Sequence, residues 1–199
     1  MARVKLSYFD FSGGRGEDCR LALHIAGIEF EDSRVQGPQW AEMKASTPFG
    51  ALPVLEVEGA GTLAQSNAIL ELIGRKHDLH PEDVWAGAQH VALMGAAEDL
   101  RAHLGPVLAI KDENRESARK EFAEGKMQAW ASNVEAQVQG PFVAGDKLNV
   151  VDLKLFMLMR WFIGGGVDHI GLEVFSAFPK LKALYESVQT HPKVVDWYA

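Results

Sequence analysis

The stretch from Phe49 to Ile69 constrains this chain more than any other part of it. It runs Phe49-Gly50-Ala51-Leu52-Pro53-Val54-Leu55-Glu56-Val57, then Gly59-Ala60-Gly61-Thr62-Leu63, then Ala64-Gln65-Ser66-Asn67-Ala68-Ile69. The pattern is an X-Pro turn, a short hairpin and a polar pair opening a helix. A strand that starts with proline keeps that residue's carbonyl but loses its N–H. A cis Leu52–Pro53 bond would turn the preceding backbone outward, where it can pair with a peptide-like ligand. Ser66 stands where an N-cap belongs, with free N–H groups and the positive dipole end able to hold a carboxylate. Two readings fit these residues: a seat for a small anionic peptide, and a plain hairpin followed by a capped helix.

Composition narrows the partners. A net charge of −7 and no basic cluster argue against nucleic acid and against an anionic membrane surface. No apolar run has the length of a membrane span, and the opening residues lack an apolar signal core, so a cytoplasmic protein is expected. The single cysteine, Cys19, fits a reducing compartment. The histidines are scattered, and His77 and His80 have no clear third ligand, so no metal is expected.

The first part of the chain alternates strand-like and helix-like runs. Val4 to Phe9 reads as a strand, Glu17 to Ala26 as a helix stopping at Gly27, Phe30 to Val35 as a strand, and Trp40 to Lys44 as a helical turn. With the hairpin and the helix after it, this order implies a mixed sheet with helices against it. Beyond residue 78 long helical patterns take over, roughly 84–111, 115–139, 150–163 and 178–190. The expected fold is therefore an α/β domain over 1–78, a linker at 79–84 and an all-α helical bundle over 85–199. Within the bundle, Asn149 and Asp152 have capping-box spacing, with Leu148 as a staple.

Dithiol redox chemistry is not expected here: Tyr8 occupies the strand end where such a protein carries its reactive cysteine, and Cys19 lies inside a helix. Tyr8 offers something different. A neutral phenol can donate to a thiolate and favour the charged form. A free thiol with a pKa of about 8.5 is only ~3% thiolate at pH 7, and lowering it by about two units takes roughly 2.7 kcal/mol. One charge-assisted hydrogen bond contributes on the order of 1.5–3 kcal/mol, so a single hydroxyl nearly suffices.

Leu6-Ser7-Tyr8-Phe9, Arg15-Gly16-Glu17, Arg20, Ala26-Gly27, Trp40, Lys44, Pro48 to Glu56 and Gln65 to Ile69, taken in order, resemble a cytosolic glutathione transferase of sigma-like class. The likeness extends through the capping segment at 145–152 to Phe178-Pro179-Lys180-Leu181 and His191-Pro192. It implies a thioredoxin-like N-terminal domain, a helical C-terminal domain, a homodimer and glutathione as co-substrate. Carried onto this chain, it implies that Tyr8 stabilises the glutathione thiolate with help from Arg15. Trp40 and Lys44 would meet the glycine end, and Leu52 before Pro53 the cysteinyl backbone. Gln65 and Ser66 would hold the γ-glutamyl group, with Asp99 of the partner subunit as a further contact. The small hydrophobic electrophile would lie between domains against Phe9, Arg101, Leu104 and Phe156. Leu104-Gly105-Pro106 occupies the region where prostaglandin D synthases of this class carry a tryptophan, which argues against prostaglandin isomerisation. The same scaffold also occurs as non-catalytic binding proteins and lens crystallins, which is the alternative function.

Overall fold

The computed structural model describes residues 2–171 and 173–199. Four strands form one mixed sheet: β1 Val4–Phe9, β2 Glu31–Val35, β3 Val54–Val57 and β4 Gly61–Ala64, in the order β2-β1-β3-β4. β1 runs parallel to β2, with Tyr8 opposite Arg34, and antiparallel to β3, with Ser7 opposite Val54. The parallel pair needs a crossover, and α1 (Gly14–Ile25) supplies it. Leu6 and Leu55 turn toward that helix and toward α3 (Ser66–Lys76), joining one core with Leu21, Ile69 and Leu70. A second, smaller cluster joins Tyr8, Val35, Leu52, Val54 and Ala64, and Phe9, Trp40 and Met43 pack against it. This half has the thioredoxin-like arrangement, a mixed sheet with helices packed against it.

The second half is helical: α4 Val84–Ala109, α5 Arg115–Phe122, α6 Gln128–Glu135, α7 Val150–Ile163, α8 Pro179–Gln189 and α9 Pro192–Tyr198. The expected single helix over 115–139 is interrupted by a π turn at Ala123–Met127. α7 is apolar nearly all round, as befits the central helix of the bundle, and packs on α1, α4 and α8. The capping box at its start is formed: Asp152 accepts from the Asn149 amide at 2.8 Å and from the Val143 amide at 2.7 Å.

Three local expectations change. α1 starts one turn earlier than Glu17, because Gly14, at φ 65, enters the helix after an extended Gly13. α2 spans Gly37–Met43, opened by Pro38 and a Gln36–Gln39 capping box, so Trp40 lies within it. α9 carries too short a pattern to stand out in sequence; it is fixed by docking, with Trp197 donating to Glu17 at 2.8 Å and stacking on Phe30.

Candidate active site

Tyr8 is the penultimate residue of β1 and is 7% exposed. Its ring lies edge-on to Phe9 at 5.5 Å and tilted against Phe11 at 5.6 Å. The ring rests directly on the first turn of α1, and a Cβ on Gly16 would overlap it. A Cβ on Gly14 would stand 2.7 Å from the hydroxyl oxygen. Gly14 and Gly16 are therefore site residues by virtue of what they leave out. Burial raises the phenol's pKa, only partly offset by the Arg15 backbone N–H and the Arg15 and Arg101 charges. Tyr8 is accordingly a neutral hydrogen-bond donor throughout the physiological range.

The Leu52–Pro53 bond is cis. Leu52 lies just outside the ladder, which begins at Val54, and its side chain packs in the same small cluster as Tyr8. Trp40 meets Phe9 edge-to-face at 5.6 Å, and Lys44 is exposed at the C-terminal end of α2. One cluster thus ties together Tyr8, Leu52, Trp40 and Ala64, the residue before Gln65.

The helix that follows departs from the sequence expectation by one residue. Gln65, not Ser66, is the N-cap of α3, exposed and held at φ 74, a left-handed conformation rare for a side chain of this kind. Ser66 is the first helical residue and 3% exposed. Its hydroxyl accepts a 2.9 Å hydrogen bond from Lys154 Nζ, which crosses from α7.

That lysine is fully buried and belongs to a charged network between the two halves of the chain. Lys154 pairs with Asp18 at 2.9 Å and with Glu98, while Glu98 also receives Arg15 through Nε at 2.7 Å and Nη2 at 2.6 Å. Burial acts to raise the Glu98 carboxyl, but the Lys154 and Arg15 charges win and hold it below the usual carboxylate range. Arg15 is therefore anchored to α4 rather than directed wholly at Tyr8. Neither Lys154, Asp18 nor Glu98 announces itself in sequence, since each lies in an ordinary helical pattern.

A cavity of about 580 Å³ opens beside Tyr8, between the start of α1, α4 and α7. Only part of the expected electrophile set reaches it. Arg101 lines it, whereas Phe9 packs on Tyr8 and Trp40, and Leu104 and Phe156 are corrected to core residues at 0% and 1% exposure. The reason is helical phase. Arg101, Gly105 and Leu108 share one face of α4, and a step of one residue turns a side chain by about 100°, which points Leu104 into the bundle. Met157, Arg160 and Trp161 line the α7 side in the same way, one step round from Phe156. Spacing from Arg101 could have found Gly105 and Leu108; nothing in the sequence marks Arg160.

Asp99 is exposed on α4, its carbonyl 2.7 Å from His103 Nδ1. Cys19 is buried against the Arg15 carbonyl at 3.4 Å, and burial pushes its thiol pKa up, so it is no nucleophile. Among the described residues no group of three or more metal-ligating side chains is brought together, and no helix is long and apolar enough to cross a membrane.

Two family models match the chain in order, the glutathione S-transferase N-terminal domain over residues 4–75 and the glutathione S-transferase C-terminal domain over residues 98–199. Probable glutathione S-transferase 5 of Caenorhabditis elegans is 32% identical, over 99% of this chain and 96% of its own length. The crystal structure of a major nematode-specific transferase from C. elegans superposes with a TM-score of 0.85 at 31% identity, covering 100% of this chain and 96% of its own. The prostaglandin synthase D of Nilaparvata lugens gives 0.86 at 25% identity, with 98% and 96% covered. With both domain models matched and a relative this similar along nearly its whole length, the chain belongs to the glutathione S-transferase family.

Proposed function

We propose that the protein binds glutathione against the Tyr8–Leu52–Ser66 face of its first domain and conjugates it to small electrophiles held between its two halves. The observation that carries this reading is the buried, neutral Tyr8 hydroxyl at the mouth of the 580 Å³ cavity, next to the cis-proline turn. The thiol of bound glutathione gives its proton to water. The resulting thiolate accepts a hydrogen bond from Tyr8 and attacks the electrophilic carbon, expelling the leaving group. Binding supplies orientation by replacing a bimolecular encounter with a held geometry.

Trp40 and Lys44 would meet the glycine carboxylate, the Leu52 backbone the cysteinyl unit, and Gln65 with Ser66 the γ-glutamyl carboxylate. The strained backbone of Gln65 and the positive end of α3 support that last assignment. The two units, 1–78 and 85–199, would share the site across the 79–84 linker. Large exposed apolar side chains support a homodimer: Phe49, Val84 and Trp85 are 68%, 79% and 74% exposed. Such a pairing would bring in Asp99 of the partner subunit. Similarity to a prostaglandin D synthase supports the sigma-like assignment, and the role would be cytosolic detoxification. Retention of Tyr8 in a donor geometry favours an enzyme over a crystallin-type protein. The test is conjugation of glutathione to a generic aryl halide by wild type and Tyr8→Phe. Turnover lost in the variant while glutathione still binds supports the reading, and glutathione binding without turnover by wild type contradicts it.

A further inference from the structure

The cavity beside Tyr8 carries more cations than its carboxylates can neutralise. Arg15, Arg101 and Arg160 line it, and behind them lies the network of Lys154, Asp18 and Glu98. Those two carboxylates are already engaged. Lys154 holds Asp18 at 2.9 Å and also reaches Glu98, while Arg15 holds Glu98 at 2.6 Å. Glu17, the next carboxylate toward the C-terminal tyrosine, is taken by Arg20 at 3.0 Å and by the Trp197 indole.

Arg101 is left with the remainder. Its side chain is 7% exposed, and its nearest carboxylate oxygens, on Asp18 and Glu98, are both 3.9 Å away. Its Nε and Nη2 have no hydrogen-bond partner among the described residues. Buried donors without partners are uncommon, and a guanidinium is the costliest kind to leave so. Arg160, across the cavity on α7, stacks on the Tyr198 ring at 4.4 Å and donates to its hydroxyl at 2.9 Å. No carboxylate among the described residues lies within ion-pairing distance of it. Phe11, Leu108, Met157 and Trp161 give the wall its apolar part, with Ser12 and the Tyr8 phenol as its neutral polar groups.

We infer that the electrophile this cavity selects has an apolar body and a carboxylate, the carboxylate being received by Arg101 and Arg160. Guanidinium groups take a carboxylate through parallel N–H donors, and Arg101 and Arg160 both line the cavity. This rests on the transferase reading of the site. With an α,β-unsaturated carbonyl acceptor bearing such a carboxylate, the glutathione sulfur bonds to the β-carbon, the C=C π bond breaks, and the carbanion takes a proton from water.

The test compares a carboxylate-bearing aryl enone with its methyl ester, and the saturated, unreactive forms of both. Binding of the saturated pair is measured by calorimetry and turnover of the enones by product analysis. The acid is expected to bind, and to react in kcat/KM over background, at least about tenfold better than the ester. In Arg160→Met this ratio is expected to fall toward one, and Arg160→Lys to retain part of it. Arg101→Lys gives a second variant that keeps the buried charge while losing the fork. Equal binding of saturated acid and ester by wild type, or a ratio unchanged in Arg160→Met, would overturn the inference. Selective binding of the saturated acid with no turnover of either enone would instead sustain it and overturn the transferase reading.

Discussion

Lys154 Nζ, buried in the middle of α7, hydrogen-bonds the hydroxyl of Ser66, the first residue of α3, at 2.9 Å. The contact joins the helical domain to the face of the other half proposed to bind glutathione. Asp18, fully buried, holds the same ammonium at 2.9 Å. Lys154→Met would leave the Asp18 carboxylate without its close cation. Removing one partner of a buried pair costs on the order of 3–5 kcal/mol, so a large drop in Tm is expected. Asp18→Asn added to it is expected to recover part of the loss, since the uncompensated charge is then gone. Glutathione affinity should fall in both variants, because Ser66 loses the donor that fixes its hydroxyl. Thermal unfolding and calorimetric titration with glutathione check both points.

Gly16→Ala tests how closely Tyr8 is seated. A Cβ there overlaps the Tyr8 ring, so either the ring or the first turn of α1 must shift. Displacing a reacting group by about 1 Å costs on the order of 10²-fold in rate, and overpacking about 1–3 kcal/mol in stability. The expected outcome is a loss of kcat/KM of that order while glutathione affinity falls much less. Steady-state kinetics beside a binding titration separates the two.

Much of this was legible in the residues themselves. The Pro53 turn, the hairpin and the polar pair at Gln65-Ser66 mark one side of the sheet, and Tyr8 near the end of β1 is the residue on which the proposed chemistry rests. Asn149 and Asp152 marked the start of α7, where the capping box forms. What could not be read depends on contacts between distant elements. Lys154 sits in an apolar helical pattern and becomes meaningful only when α7 meets α1 and α3. The family resemblance puts Leu104 and Phe156 at the cavity, but the helical phase that turns them into the core is set by tertiary packing. Gly14 and Gly16 look like loop residues until Tyr8 is laid on them.

The His80–His90 pair gives an acid dependence. Both rings are buried, 3% and 4% exposed, with centroids 5.9 Å apart next to the linker. Burial, with His80 adding to it, lowers the His90 pKa from 6.5 to about 4. Between those values the unfolded chain binds the proton that the folded chain refuses, so stability falls as pH drops from 6.5 toward 4 and then levels at this site. His90→Leu removes that titration and is expected to flatten the slope of Tm against pH in this window. Thermal melts across it, wild type against variant, give the measurement.

Asp152→Ala removes a carboxylate that accepts two buried backbone amides, those of Val143 and Asn149. Losing a cap and orphaning buried N–H groups together cost about 2–4 kcal/mol. Denaturant unfolding should show that loss, and the folded variant should keep its glutathione affinity, since the cap touches none of the residues proposed to bind it.

The central claim is that the Tyr8 hydroxyl stabilises the glutathione thiolate, and the titration of bound glutathione followed by thiolate ultraviolet absorbance tests it most directly. In wild type the midpoint is expected about two units below the free thiol's ~8.5, and in Tyr8→Phe close to the free value. The same midpoint in both proteins, with glutathione bound in each, would contradict it.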